Sequence, residues 1–166
     1  MHWLLCLVLL STPAFPERDA RPDELALIDA VKKVGGKSVQ GEWSLPLCEI
    51  TREWAKAMAS RHQVSVSPTG HDGFSKGTNP RGERAMASTQ AIGAAEVLAS
   101  TYGFETTIEE HANSCAQGWL QSPSHRIEMM EKHDYYCYSM AKSSDQKYYC
   151  IGIFTDKERR LPRARP

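Results

Sequence analysis

No stretch of this 166-residue chain is apolar for long enough to cross a bilayer. Its main apolar run, Trp3–Leu10, has eight residues, where a spanning helix needs about 20. Net charge is missing too. Twenty Lys and Arg balance twenty Asp and Glu, so no strong overall field draws the chain to nucleic acid. Asn-x-Ser/Thr sequons are absent, because Asn79 precedes Pro80 and Asn113 precedes Ser114-Cys115. Ordinary N-glycosylation is therefore not expected. The sequence has no internal repeat and no Gly-x-Ser-x-Gly nucleophile elbow, which removes the simplest covalent route to hydrolysis. Its cysteines are few and never close together in sequence, which argues against a cysteine metal cage.

The apolar run has a use of its own. Trp3–Leu10 followed by Ser11-Thr12-Pro13-Ala14 has the form of a short secretory signal over residues 1–16, with small residues ahead of a cleavage point. Removing it takes Cys6 and leaves Cys48, Cys115, Cys137 and Cys150. An even number in an exported chain implies two disulfides. Cys137 and Cys150 are equidistant from the centre of Lys142-Ser143-Ser144-Asp145. A two-residue hairpin turn there would face them across two strands, which leaves Cys48 to pair with Cys115. At the other end, Lys157–Pro166 carries five basic residues against Glu158 alone. That stretch reads as a solvated, disordered tail able to touch an acidic surface.

Between those ends the pattern is that of one domain over residues 17–156. Asp23–Val34 reads as a helix, with Pro22 suited to its start and Gly35-Gly36 to its end. Leu47–His62 is a second helix, Thr89–Tyr102 a small-residue helix, and Ile108–Gln121 a fourth that Pro123 breaks. Residues 65–84, rich in Gly and Pro, read as a long loop. Tyr135–Ala141 and Lys147–Thr155 form a β-hairpin whose tyrosines alternate between faces. Helices first and antiparallel strands last give an α+β fold.

Three residues carry the chemistry. His71 opens His71-Asp72-Gly73-Phe74, Glu96 lies in Ala94-Ala95-Glu96-Val97, and His125 closes Trp119-Leu120-Gln121-Ser122-Pro123-Ser124-His125. Two imidazoles and a carboxylate make a three-ligand site with an open fourth position, able to hold a divalent cation and activate its water. They are equally the parts of an acid/base site. Plainer readings stand beside these: His71 bonded to backbone, Glu96 paired with Arg84 or Arg126, and His125 capping the helix after Pro123. Trp54 and Trp119 have the spacing of core residues.

These motifs resemble the CAP superfamily of cysteine-rich secretory, antigen-five and pathogenesis-related proteins, and its SCP-like branch in particular. The resemblance rests on Trp54-Ala55…Met58-Ala59, the His71-Asp72-Gly73-Phe74 segment, Ala95-Glu96, Gly118-Trp119…Ser122-Pro123-Ser124-His125-Arg126 and the final Tyr-rich strand. It covers Asp23 to Phe154 and implies a three-layer α-β-α sandwich with a central antiparallel sheet. It further implies a cleft in which His71, Glu96 and His125 bind Zn2+ or another divalent cation. Val97 replaces the asparagine that usually follows the glutamate, and Ser122 stands where many members have a second acidic residue. Asp72 or Glu128 could replace that oxygen. The resemblance implies a secreted, extracellular, non-enzymatic module that binds a sterol, lipid or other ligand. The alternatives are a metal-dependent hydrolase or protease using His71, Glu96 and His125, and a defence effector docking on surfaces through its loops and basic tail.

Overall fold

The computed structural model describes residues 19–64, 71, 73–75 and 80–158. The proposed signal segment, Asp72 and residues 159–166 lie outside them. Five helices surround a four-stranded sheet: α1 (Pro22–Lys33), β1 (Glu42–Trp43), α2 (Leu45–Arg61), α3 (Arg81–Thr89), β2 (Gly93–Ser100), α4 (Ile108–Gln121), α5 (Pro123–Met130), β3 (Tyr135–Lys142) and β4 (Tyr148–Asp156). The fold is α+β, as the element order in the sequence implies.

Local chemistry accounts for several helix ends. In α1 the Glu24 carboxylate reaches back to the Arg21 N–H at 2.9 Å, with Pro22 in the first turn and Lys32 and Lys33 in the last. Acid at the start and base at the end both complement the helix dipole. Helix α4 opens on a reciprocal capping box between Thr107 and Glu110. Helix α2 ends on His62 in the left-handed region, φ 55°. The ring of His62 lies 3.2 Å from both Asp145 Oδ1 and Ser144 Oγ, which ties the end of α2 to the β3–β4 turn.

The sheet order is β1-β3-β4-β2. Strands β2, β4 and β3 pair antiparallel, as expected, while two-residue β1 joins β3 in parallel and makes the sheet mixed. Strand β3 is buried without interruption from Tyr136 to Met140, and β4 from Tyr149 to Thr155. A sheet covered on one face would alternate; an unbroken buried run means helices on both. Cys137 and Ser139 face α2, where Ser139 Oγ meets Thr51 Oγ1 at 2.7 Å. Tyr138 faces α4, its ring 5.5 Å from that of fully buried Trp119. Gly152 makes room for this stack, because a Cβ there would come within 2.6 Å of Tyr138 Cε1. Both faces of the hairpin therefore bury tyrosines, and only Tyr135 and Tyr148 at its ends stay half-exposed.

Three expectations are corrected. Of the small-residue stretch expected as a helix, residues 89–102, Gly93–Ser100 is strand β2, paired with β4 along its whole length. Alanine-rich composition favours a helix only weakly, and sheet pairing overrides it. Part of the expected loop is helix α3, seated after Pro80. The disulfides are Cys48–Cys137 and Cys115–Cys150, not Cys137–Cys150 and Cys48–Cys115. Lys142 pairs with Tyr148, so the turn comprises residues 143–147 rather than two residues. That register sets Cys137 opposite Ile153 and Cys150 opposite Met140. Residues 137 and 140 point to opposite faces, so Cys137 bonds to α2 and Cys150 to α4. At the start of the expected tail, the Lys157 N–H donates to Asp134 at 2.7 Å and its ammonium lies 4.9 Å from the Tyr135 ring centre.

Candidate functional site

Strand β2 is a sheet edge, so helices α3 and α5 can both reach it. Glu96, in the middle of β2, points its carboxylate under the first turn of α3. There Arg81 donates from Nε to Oε2 at 2.9 Å and from a terminal nitrogen to Oε1 at 2.8 Å. This is a bidentate, charge-assisted pair, and both side chains are almost fully buried, with 5% and 1% exposed. The guanidinium carbon also lies over the Trp54 ring of α2, 3.6 Å from its centre. Trp54 is half-buried, packed against the core and with a cation over its ring.

The His71 segment is seated by the same helix start. Arg81 N–H donates to the Gly73 carbonyl and Gly82 N–H to the Phe74 carbonyl, both at 2.8 Å. Gly73 adopts φ +68°, and a Cβ on Gly82 would stand 2.9 Å from the Phe74 oxygen, so neither position tolerates a side chain readily. His71 Nδ1 lies 3.0 Å from Glu96 Oε1. A carboxylate only accepts, so Nδ1 carries the proton and neutral His71 keeps its lone pair on Nε2. His125, on α5, completes the group with its ring edge-on to His71 at 5.7 Å.

The structure therefore brings His71, Glu96 and His125 together. Among the described residues, however, their donor atoms do not all close to within 4.8 Å of one another. The set that does is Glu24, Cys48 and Cys137, whose sulfurs are joined in a disulfide. The partner of Glu96 is Arg81, not Arg84 or Arg126: Arg84 binds Glu53 at 2.6 Å, and Arg126 is exposed. The Glu128 carboxylate lies 3.7 Å from His133 Nε2, which also bonds the Glu128 main-chain carbonyl at 3.0 Å. Ser122 is spent as the boundary residue between α4 and α5, its hydroxyl 3.3 Å from that of Ser124. Arg81 is the residue that sequence reasoning missed. Its signal was Pro80 followed by an acid in the next turn at Glu83, which marks a helix start.

Burial holds His125 below the ordinary imidazole value, the nearby His71 adds to the depression, and Glu96 partly offsets it. His111, buried between Thr101 and Tyr148, is lowered chiefly by desolvation as well. Such a histidine binds fewer protons folded than unfolded. Its contribution is complete above the unfolded pKa of about 6.5 and is lost as pH falls from there to the folded pKa. Denaturant midpoints should therefore drop on acidification below about pH 6.5, and less steeply in His125→Gln. Proton NMR should place the His125 midpoint below that of free histidine; a midpoint at or above it would refute the burial argument.

No protein-family model matches the sequence, and comparison with curated proteins finds no match. Among solved structures, the fold is similar to that of an outer surface protein from Borrelia burgdorferi, with TM-score 0.55 and 20% identity over 80% of this chain and 87% of that one. At that identity the likeness concerns the fold.

Proposed function

We propose that this protein is a secreted, non-enzymatic binding module of the CAP type, working outside the cell or at its surface. Two buried disulfides fit an oxidising compartment, and the shared fold of an outer surface protein supports the same setting. The observation that carries the non-enzymatic reading is the Arg81–Glu96 pair. Glu96 is the carboxylate that converges with both histidines, and its two oxygens accept three hydrogen bonds from Arg81 and His71. A carboxylate so engaged is poorly placed to act as a general base. A cation bound to it directly would also lie beside a guanidinium.

What fits a divalent cation is the pair of imidazoles. Glu96 stands behind His71 as the group that fixes its tautomer and orientation, an arrangement common around metal-binding histidines. Two neutral nitrogens make a weak zinc site whose role is to shape the cleft. The ligand proposed for the module is a sterol or other lipid, with the basic tail as a secondary contact to acidic surfaces.

Zinc titrated into the oxidised protein by calorimetry should show one weak site, far short of the roughly 10–16 kcal/mol of structural zinc centres. That site should disappear in His125→Ala. Tight binding, or metal-dependent cleavage of peptide or ester substrates lost in His125→Ala, would instead establish the hydrolase reading.

A further inference from the structure

Away from the cleft, where helix α2 ends against the β3–β4 turn, a serine, a histidine and an aspartate stand in line. His62 Nδ1 lies 3.2 Å from Asp145 Oδ1, and His62 Nε2 lies 3.2 Å from Ser144 Oγ. A carboxylate only accepts, so in the neutral ring Nδ1 carries the proton. Nε2 then keeps its lone pair and receives the Ser144 hydroxyl. That is the order of a nucleophile, its base and the group that orients the base.

The backbone on both sides holds the three in place. His62 closes α2 at φ 55°, a left-handed conformation that is uncommon outside glycine but that histidine adopts more readily than most residues. The turn is braced from within by buried Ser143. Its N–H donates to the Lys147 carbonyl at 2.9 Å, its carbonyl accepts from the Gln146 N–H at 3.1 Å, and its hydroxyl donates to the Asp145 carboxylate. The Ser143 hydroxyl above all, with His62 and Lys147, holds the Asp145 carboxyl down at about 2, so it stays ionised behind the histidine. Ser144 and His62 open onto a cleft of about 430 Å³ that Lys56, Ser60 and Lys142 also line. The cleft has room for a small molecule, and its ammonium groups favour negative charge developing on an attacked carbonyl oxygen.

We propose that Ser144 is a nucleophilic serine that accepts an acyl group from a small carboxylic ester, with His62 as its base and Asp145 positioning His62. Ser144 Oγ attacks the ester carbon while its proton passes to His62 Nε2. The bond from that carbon to the alcohol oxygen then breaks, and the alcohol leaves with the proton. The product is an acyl-serine. The three residues are open to water, with 43% of the His62 side chain and 40% of Asp145 exposed. The rate gain from His62 therefore belongs at the low end for acid–base catalysis, about a hundredfold. One serine acylated once is a modification and not turnover. It uses none of His71, Glu96 or His125, so it stands apart from the binding role proposed for their cleft.

Reaction of the full oxidised chain with para-nitrophenyl acetate tests it, the acetyl group being located by peptide mass mapping. Ser144 should take up one equivalent. The rate should fall about a hundredfold in His62→Asn, a residue that suits the left-handed cap but cannot take the proton, and Ser144→Ala should abolish labelling at this position. In the parent protein the rate should rise with pH in step with the loss of the His62 proton, followed by NMR on the same sample. Asp145→Asn should slow the reaction and move the rate profile and the His62 titration together, which a merely structural aspartate would not do. All three side chains lie at the surface, so unfolding midpoints should change little and separate lost reactivity from lost fold. Acetyl found on Ser143, Lys56 or Lys142 in place of Ser144 would overturn the proposal. So would labelling of Ser144 that is equally fast in His62→Asn.

Discussion

Replacing Cys48 and Cys137 together by alanine should lower the unfolding free energy by about 2–5 kcal/mol. Cys115 and Cys150 should cost somewhat less. The first disulfide closes a loop of 89 residues and the second one of 35. A cross-link stabilises mainly by removing conformations from the unfolded chain, an effect that grows slowly with loop length. All four cysteines are fully buried, so each pair also contributes packing. Against a typical domain stability of about 5–15 kcal/mol, either loss is large. Guanidinium titration without reductant measures both. A loss below about 1 kcal/mol for the longer loop would contradict the loop-entropy account. Peptide mapping without reduction should recover fragments that join 48 to 137 and 115 to 150.

Arg81→Met should be comparably damaging, because it strands a charge rather than removing a contact. Glu96 would remain buried with His71 as its surviving partner, and breaking a buried pair from one side costs about 3–5 kcal/mol. The face of Trp54 would lose its closer cation, leaving Arg61 at 4.5 Å from the ring centre. Glu96→Gln added to Arg81→Met should restore part of the loss, since the stranded charge is then gone. Arg81→Lys should rescue incompletely, because an ammonium cannot match both carboxylate oxygens. Arg81→Met also frees the Glu96 oxygens from the guanidinium, so its zinc affinity should rise while its stability falls. Loss of stability together with unchanged zinc affinity would show that the pair does not restrain the cleft. Urea titration and calorimetry on one preparation give both numbers.

Helices α1, α2 and α4 and the hairpin were legible because each carries its own local signal. Pro22 and Gly35 bracket α1, α4 has apolar residues on one stripe, and β3 and β4 are dense in aromatic and β-branched residues. Strand β2 was not legible. Its identity comes from pairing with β4, a distant segment, and nothing in Ala-Ala-Glu-Val-Leu-Ala distinguishes an edge strand from a helix. The disulfides were missed for a related reason. Turn length sets register, and an odd shift in register carries every side chain to the other face. The positions of His71, Glu96 and His125 could be drawn from motif order, and the structure does bring them together. The Arg81 pair could not, because it depends on α3 crossing β2 beside Trp54, a meeting of three segments that no local pattern encodes.

The two cystine loops overlap, one spanning 48 to 137 and the other 115 to 150. Any single peptide bond cut between Cys48 and Cys150 therefore leaves the pieces on one covalent body. A protease that nicks a surface loop in that span releases no fragment. What results is a two-chain protein held at the hairpin, where both helical layers are stapled to the sheet. In a compartment where proteolysis is common and repair is absent, that threading turns a cut from an ending into a modification.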